Sequence, residues 1–339
     1  MSYSFSLFLS YLGWTLKQQQ EDIMDLFKQS GSSSENFFPI DQELSLEDFL
    51  NEVLLFVEQT QHNFVIRKKN QERWEIQPLP WMSLNISENQ NKIRKLGFVQ
   101  EVRPENESNL NGSLCILGAT KFRMQTRINF TESLLRNNCI KPKRILLLTG
   151  ERPVSESVDG PLNELIDLAK ELKLNSWKDL FETDIMKNEY YKHQYLTQNF
   201  SEPIIIDTKA TFKNNVQIRP TTQTTIEAMK PFLDKNSDDL YFITNQPYIN
   251  YQSGVIEATL RFTLKLPNLK FKVYGESTEI GDNLLPFYEA IGSFIWIKTP
   301  IILADMNIAI PAPFKERFLQ LYSNHPLIFQ GQFPFLAEL

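Results

Sequence analysis

Two runs decide the fold: Ser113-Leu114-Cys115-Ile116-Leu117-Gly118-Ala119-Thr120, and further on Ile145-Leu146-Leu147-Leu148-Thr149-Gly150-Glu151-Arg152-Pro153. Each is a short apolar stretch closing on a turn of small and polar residues. Bounded apolar runs of this length fit strands covered on both faces. Between them, Met124, Ile128, Phe130, Leu134 and Leu135 repeat at helical spacing, as in a helix packed on a sheet. Strand, helix, strand implies a parallel pair joined by a right-handed crossover.

Downstream the alternation continues. Ile204–Thr208, Leu240–Ile243 and Phe271–Gly275 are predicted as third, fourth and fifth strands. Helices are expected from Leu162 to Leu172, from Trp177 to Tyr191, after the hydroxyl-rich Thr221–Thr225 and from Val255 to Leu264. The class is therefore α/β, a mostly parallel sheet wrapped by helices. Upstream, Phe5–Lys28 suits one amphipathic helix or a broken pair. Ser45 with Glu47 and Asp48 opens another, continued by Phe49, Val53, Leu54 and Val57. Phe64-Val65-Ile66 and Trp74-Glu75-Ile76 are expected to pair as a hairpin, with Ile86–Leu96 helical after them. The polar run from Pro104 to Asn111 marks a boundary. The expected organisation is a mainly helical region over 1–111, a candidate cap on the ligand crevice; an α/β core over 112–277; and helices with a tail over 278–339 packing on the core. Within 278–339, a pair of helices should flank Ile301-Ile302-Leu303 and Ile308-Ala309-Ile310.

The 339 residues are 42% hydrophobic and 22% charged, the balance of a folded soluble protein. A formal net charge of −6 argues against a nucleic-acid binder held by bulk electrostatics. Arg67-Lys68-Lys69 reads as a solvated loop or strand end. Cys115 and Cys139 form no CxxC pair, and His62, His193 and His325 are scattered, so neither a zinc site nor a disulfide framework is expected. Tyr3–Trp14 is apolar but falls short of the ~20 residues that span a bilayer, and it lacks the flanks of a signal peptide. The expectation is a protein with no membrane span in a reducing compartment, the cytoplasm.

In an open parallel sheet the ligand crevice lies beyond the carboxyl ends of the strands, where loops diverge and helix N-termini converge. The residues placed there are Gly118, Ala119 and Thr120; Thr149, Gly150, Glu151 and Arg152; Asp207 and Thr208; and Thr244 and Asn245. Glycine admits close approach of backbone N–H groups, and helix starts such as Thr222, Thr224 and Thr225 favour anions and hydroxyls. Arg123 and Arg127 lie one turn apart and share a face; either they clamp an anion, or Arg127 pairs with Glu151 or Glu182 as part of the scaffold. Glu182 and Asp184 are candidate catalytic acids, suited to general-base work or to a ribose-like hydroxyl if one faces the crevice. No GxGxxG, GxxxxGK[ST] or GxSxG motif occurs, so no specific nucleotide and no serine hydrolase is indicated.

The residues resemble the SanA/ElyC/YdcF-like family of bacterial α/β proteins. The likeness rests on Leu117-Gly118 with Arg127 on the following helix, on Leu148-Thr149-Gly150-Glu151-Arg152, on Phe181-Glu182-Thr183-Asp184-Ile185-Met186, and on Thr222-Gln223-Thr224-Thr225-Ile226-Glu227. It covers roughly residues 113 to 276. One departure stands out: where such proteins tend to carry a histidine and an arginine after the fourth strand, this chain reads Thr244-Asn245-Gln246-Pro247-Tyr248-Ile249-Asn250-Tyr251-Gln252. Tyr248 and Gln252 are left to contact a ligand there. The resemblance implies a Rossmann-like three-layer sandwich with a strand-end pocket for a nucleotide-like or adenosine-containing ligand, S-adenosylmethionine among them.

The leading reading is thus a soluble α/β protein that binds a small anionic or nucleoside-containing metabolite and transfers or hydrolyses a group on it. An alternative is an inactive scaffold that engages a protein partner through its N-terminal region or through Phe329, Phe333 and Phe335. A third and weaker reading, a magnesium-dependent phosphohydrolase, would use Asp207, Glu151 and Asp184.

Overall fold

The computed structural model describes residues 3–32, 37–67, 75–104, 112–213, 216–233 and 239–324. The chain divides into two compact units, residues 101–277 and residues 1–100 together with 278–339. The helices after 278, expected to pack on the α/β core, group with the N-terminal helices.

In the unit formed by 101–277, five strands make one parallel sheet: β1 (Gly112–Leu117), β2 (Arg144–Gly150), β3 (Ile204–Thr208), β6 (Asp239–Asn245) and β7 (Phe271–Glu276), in the order β3-β2-β1-β6-β7. The intervening β4 (Thr211–Lys213) and β5 (Val216–Ile218) pair only with each other, as a small antiparallel hairpin. Leu117 pairs with Leu148, Ile206 with Leu148 on the far side of β2, and Ile116 with Ile243, so the carboxyl ends of β1, β2, β3 and β6 finish at one edge. Alternate side chains of each strand feed two cores. Leu114, Ile116, Ile145, Leu147, Tyr241 and Ile243 meet α5 (Lys121–Arg136), α6 (Leu162–Glu171), α7 (Glu182–Tyr191) and α8 (Gln194–Asn199). Cys115, Leu117, Leu146, Leu148, Leu240 and Phe242 meet α9 (Thr222–Ala228) and α10 (Ile249–Ala258). This is the Rossmann-like three-layer arrangement: the chain fills one face through β3, then crosses to the other side of β1. The switch falls between β1 and β6. The outer edge of β7 is paired by Val102, whose N–H and C=O bond to Gly275.

The second unit is helical: α1 (Phe5–Tyr11), α2 (Lys17–Gln29), α3 (Leu46–Phe64), α4 (Ile86–Lys95), α11 (Leu285–Asp305) and α12 (Ala312–Asn324). The Phe5–Lys28 segment is the broken pair, with Gly13 at φ +91° in the break. Ser45 caps α3 through a bond from the Asp48 N–H, as its sequence predicts. The expected strand at Phe64–Ile66 is absent. The helical spacing of Phe49, Val53, Phe56, Val57 and Thr60 carries α3 on to Phe64, whose ring packs 5.7 Å from Trp81 and 5.3 Å from Tyr288; Trp74 lies outside the described residues. Likewise α11 runs unbroken through Ile301–Leu303, and Ile308–Ile310 is a connection to α12. Gly292 lets α11 approach α3, since a Cβ there would lie 2.7 Å from Val65 Cγ2. By length and composition α11 could cross a bilayer, yet 89% of its apolar window is buried inside the protein, the position of a core helix. Phe329, Phe333, Phe335 and His325 lie outside the described residues.

Candidate functional site

The segment after β1, Gly118-Ala119-Thr120, enters α5, and the segment after β2, Glu151 to Pro161, enters α6. Between the two strand ends lies a cleft of about 140 Å³ lined by Leu117, Gly118, Leu148, Gly150, Arg152, Glu182, Arg219, Pro220, Thr221, Thr222 and Thr225. Leu117 and Leu148 are apolar side chains of its lining. The Glu182 carboxyl, from the first turn of α7, reaches over the end of β1 because Gly118 has no side chain there. A Cβ on Gly118 would overlap Glu182 Oε1, and one on Gly150 would meet Pro220 Cβ at 2.7 Å. The two glycines are thus required by packing, whatever else they do.

Glu182 is buried, and burial pushes its carboxyl above the usual carboxylate range. Arg152 opposes this from 3.0 Å through Nε–H, the Gly150 N–H from 3.4 Å, and the Arg127 charge from further off. Arg152 is fully engaged. Its Nη1 donates to Asp159 Oδ2 (2.8 Å) and the Pro153 carbonyl (3.4 Å), and its Nη2 to Asp159 Oδ1 (2.9 Å) and the Ala119 carbonyl (3.0 Å). With Nε–H on Glu182, all five donors have partners, and the guanidinium is held protonated. Asp159, with no exposed surface, also accepts from the N–H groups of Lys121 (3.0 Å) and Ser155 (2.9 Å). It therefore ties together the start of α5, the end of β2 and the loop before α6. It also replaces the side-chain cap that Thr120, the residue before α5, does not provide.

The arginine placed by sequence at the crevice does something else. Arg127 is 2% exposed and sits at the β1–β6 switch. Its Nε donates to Asn245 Oδ1 at 2.9 Å and its Nη1 to the carbonyls of Leu117 (2.6 Å) and Gly118 (2.7 Å). The position where such a sheet ordinarily seats its ligand is filled by the protein's own guanidinium. Arg123, one turn earlier, lies 4.5 Å over the ring of Tyr248, which is itself buried. Gln252, buried, accepts from Thr244 Oγ1. Neither Tyr248 nor Asn245 lines the cleft.

The remaining predicted residues divide. Thr222 and Thr225 line the cleft, whereas Thr224 closes a capping box with Thr221 at the start of α9. Thr149 Oγ1 lies 2.8 Å from Thr183 Oγ1, which donates to Asp207 Oδ1 at 2.7 Å beneath the strand ends. Glu151 accepts the Ala210 N–H at 2.8 Å and so holds the loop after β3. Asp184 accepts the Phe181 N–H at 2.9 Å, capping its own helix, and its carboxylate is not in the cleft. The helix expected from Trp177 to Tyr191 is broken: Trp177–Asp179 makes a short 3-10 turn, Phe181 bridges to Pro153, and α7 begins at Glu182. Asp207, Glu151 and Asp184 are each engaged by a separate partner, and among the described residues no three acidic, histidine or cysteine side chains come together as a metal site.

Sequence reading missed Asp159, Arg219 and Pro220. Asp159-Gly160-Pro161 does carry the signal of a helix-initiating turn, and Gly160 adopts φ +125°. Arg219 and Pro220 are brought to the cleft by the β4–β5 hairpin, whose strands are too short to show alternation in sequence. No family model matches this chain, and no curated protein or solved structure is similar enough to be matched to it.

Proposed function

We propose that the 101–277 unit binds a small hydroxyl-bearing metabolite in the cleft at the carboxyl ends of β1 and β2, nucleoside-containing ligands such as S-adenosylmethionine being the leading class. The observation that carries this reading is the Glu182 carboxyl, buried beneath an open cleft and flanked by two glycines. Its neighbours there are mainly acceptors and hydroxyls: Thr221, Thr222 and Thr225, with Arg152 saturated by its own partners. A ribose-like diol donates to a carboxylate, so it fits better than a bare anion; an anionic group on the same ligand would lie toward Arg219. A carboxyl held above its usual range also suits general acid–base work, which is where a transfer or hydrolysis step would draw on Glu182. The two free cysteines, Cys115 and Cys139, accord with a cytoplasmic protein.

The test is a thermal-shift panel of nucleosides, nucleotides, S-adenosylmethionine and sugar phosphates on the full chain. A ligand at about a hundred times its Kd stabilises by roughly 2.7 kcal/mol. A stabilising ligand that Glu182→Gln no longer responds to supports the assignment; one that binds Glu182→Gln with unchanged affinity removes it. The second reading, a scaffold without a ligand, is favoured by Arg127 filling the switch point. A panel with no response would turn the weight to it.

A further inference from the structure

Arg152, in the lining of the cleft, and Asp159 behind it are both wholly occupied. Arg152 faces two carboxylates at once, and they do not share it equally: Asp159 takes both terminal nitrogens in the bidentate geometry that matches a guanidinium, and Glu182 receives Nε–H alone. We infer that Asp159 is the positioning residue of the cleft, which holds Arg152 away from full pairing with Glu182 and so keeps the Glu182 carboxyl available to a ligand. The argument is geometric. An arginine beside a single buried carboxylate closes on it with two parallel bonds; here the second bond is prevented, because Asp159 is fixed by two backbone N–H groups from different segments, Lys121 and Ser155. Asp159 can neither move nor be displaced without releasing the start of α5.

The charged groups around Glu182 are Arg152 from the segment after β2, Arg127 from α5 and Arg219 from the segment before α9, with Asp159 behind Arg152. Lys121 turns its side chain to Glu164. Removing the Asp159 charge works on Glu182 in one direction twice over: a nearby negative charge disappears, and Arg152 is freed to pair with Glu182 more fully. Both lower its affinity for a proton.

This inference rests on Glu182 being the ligand-facing group, but its test needs no ligand, so the two fail separately. The measurement is a carbon-13 NMR titration of the Glu182 carboxyl in the full chain, assigned by the resonance lost in Glu182→Gln. In wild type the midpoint is expected above the ordinary glutamate value of about 4.3. In Asp159→Asn it is expected to fall, with proton affinity reduced at least tenfold. In Asp159→Glu, which keeps the charge, it should stay near wild type. A wild-type midpoint at or below the ordinary value overturns the inference even if Asp159→Asn does not fold. So does an Asp159→Asn midpoint that is unchanged or raised, or an Asp159→Glu shift as large as that of Asp159→Asn. A midpoint shift confined to Asp159→Asn, with ligand-induced stabilisation lost in Glu182→Gln, weakened in Asp159→Asn and kept in Asp159→Glu, would support both assignments.

Discussion

Gly118→Ala offers the sharpest test of the cleft's construction. The added Cβ would overlap Glu182 Oε1 and stand 2.9 Å from the Leu148 carbonyl. Glu182 cannot simply yield, since Arg152 holds Oε2 at 3.0 Å and the Gly150 N–H lies 3.4 Å from Oε1. Breaking a buried ion pair by removing one partner costs about 3–5 kcal/mol. Arg152 retains Asp159, which places that part of the loss at the low end, roughly 3 kcal/mol. In the Glu182→Ala background the overlap is gone and only the Leu148 carbonyl contact remains, so the same substitution should cost about 1 kcal/mol, the low end of overpacking penalties. The Leu148 carbonyl contact is common to both backgrounds, so the double-mutant cycle predicts a coupling of roughly 3 kcal/mol between positions 118 and 182. The assay is urea denaturation followed by far-UV circular dichroism, with Trp177, the one described tryptophan in this unit, as a local probe. Equal costs in both backgrounds would assign the strain to the β2 backbone. A single-variant cost below about 1 kcal/mol would mean that Glu182 does not lie over Gly118 at all.

The other predictions concern buried polar groups elsewhere. Glu52 in α3 accepts the Phe38 N–H at 2.6 Å, and burial raises its carboxyl from 4.5 to about 7, with Asp48 adding to the rise. The folded form thus holds a proton that the unfolded chain gives up. That contribution to stability is complete below about 4.5 and is lost as pH rises through about 7, a decline of roughly 3 kcal/mol at ~1.4 kcal/mol per tenfold. Glu52→Gln should remove this slope and be the more stable protein at pH 8; parallel stability curves for the two from pH 5 to 8 would disprove it. Arg127→Ala leaves the Leu117 and Gly118 carbonyls and Asn245 without their donor. At about 1–3 kcal/mol per orphaned buried group this variant should melt some 10 °C lower or fail to fold, and a drop under about 3 °C would show that the switch point does not depend on it.

What could be read from the sequence was whatever local physics decides. Leu114–Leu117 and Ile145–Leu148 are apolar at every position because both faces of their strands are covered, and Ser45 announces α3 because a side-chain oxygen before a helix satisfies an orphan N–H. Residues whose role depends on a partner distant in sequence were not readable. Arg127 could be placed on the face of α5 that looks at the sheet edge, but nothing local says that Asn245, 118 residues away, completes its shell. Asp184 and Glu182 look alike in sequence; one caps its own helix and the other crosses to the strand ends, where Gly118 leaves room for it. Phe64 read as strand because Val65 and Ile66 follow it, and only the rings of Trp81 and Tyr288 reveal why the helix persists.

The filled switch point bears on which ligand the cleft admits. A sheet of this order normally draws an anion to the gap between β1 and the strand beside it, where backbone N–H groups are free. Here that gap holds a guanidinium bonded to carbonyls, and the open space has moved one strand over, to β1 and β2. The change of place is a change of chemistry. Arg152 has no donor left, and Glu182 is an acceptor whenever it is ionised, so a phosphate pushed into the cleft would meet a carboxylate in a poorly solvated site. A hydroxyl there meets a hydrogen-bond partner in either protonation state, because the protonated carboxyl both donates and accepts. The cleft at about 140 Å³ is also smaller than the ~300–1,000 Å³ usual for a whole drug-sized ligand. It can enclose a sugar-sized portion and leave the rest at the rim, near Arg219. The proposed nucleoside ligand would on these two constraints be held through its sugar, with its charge kept outside.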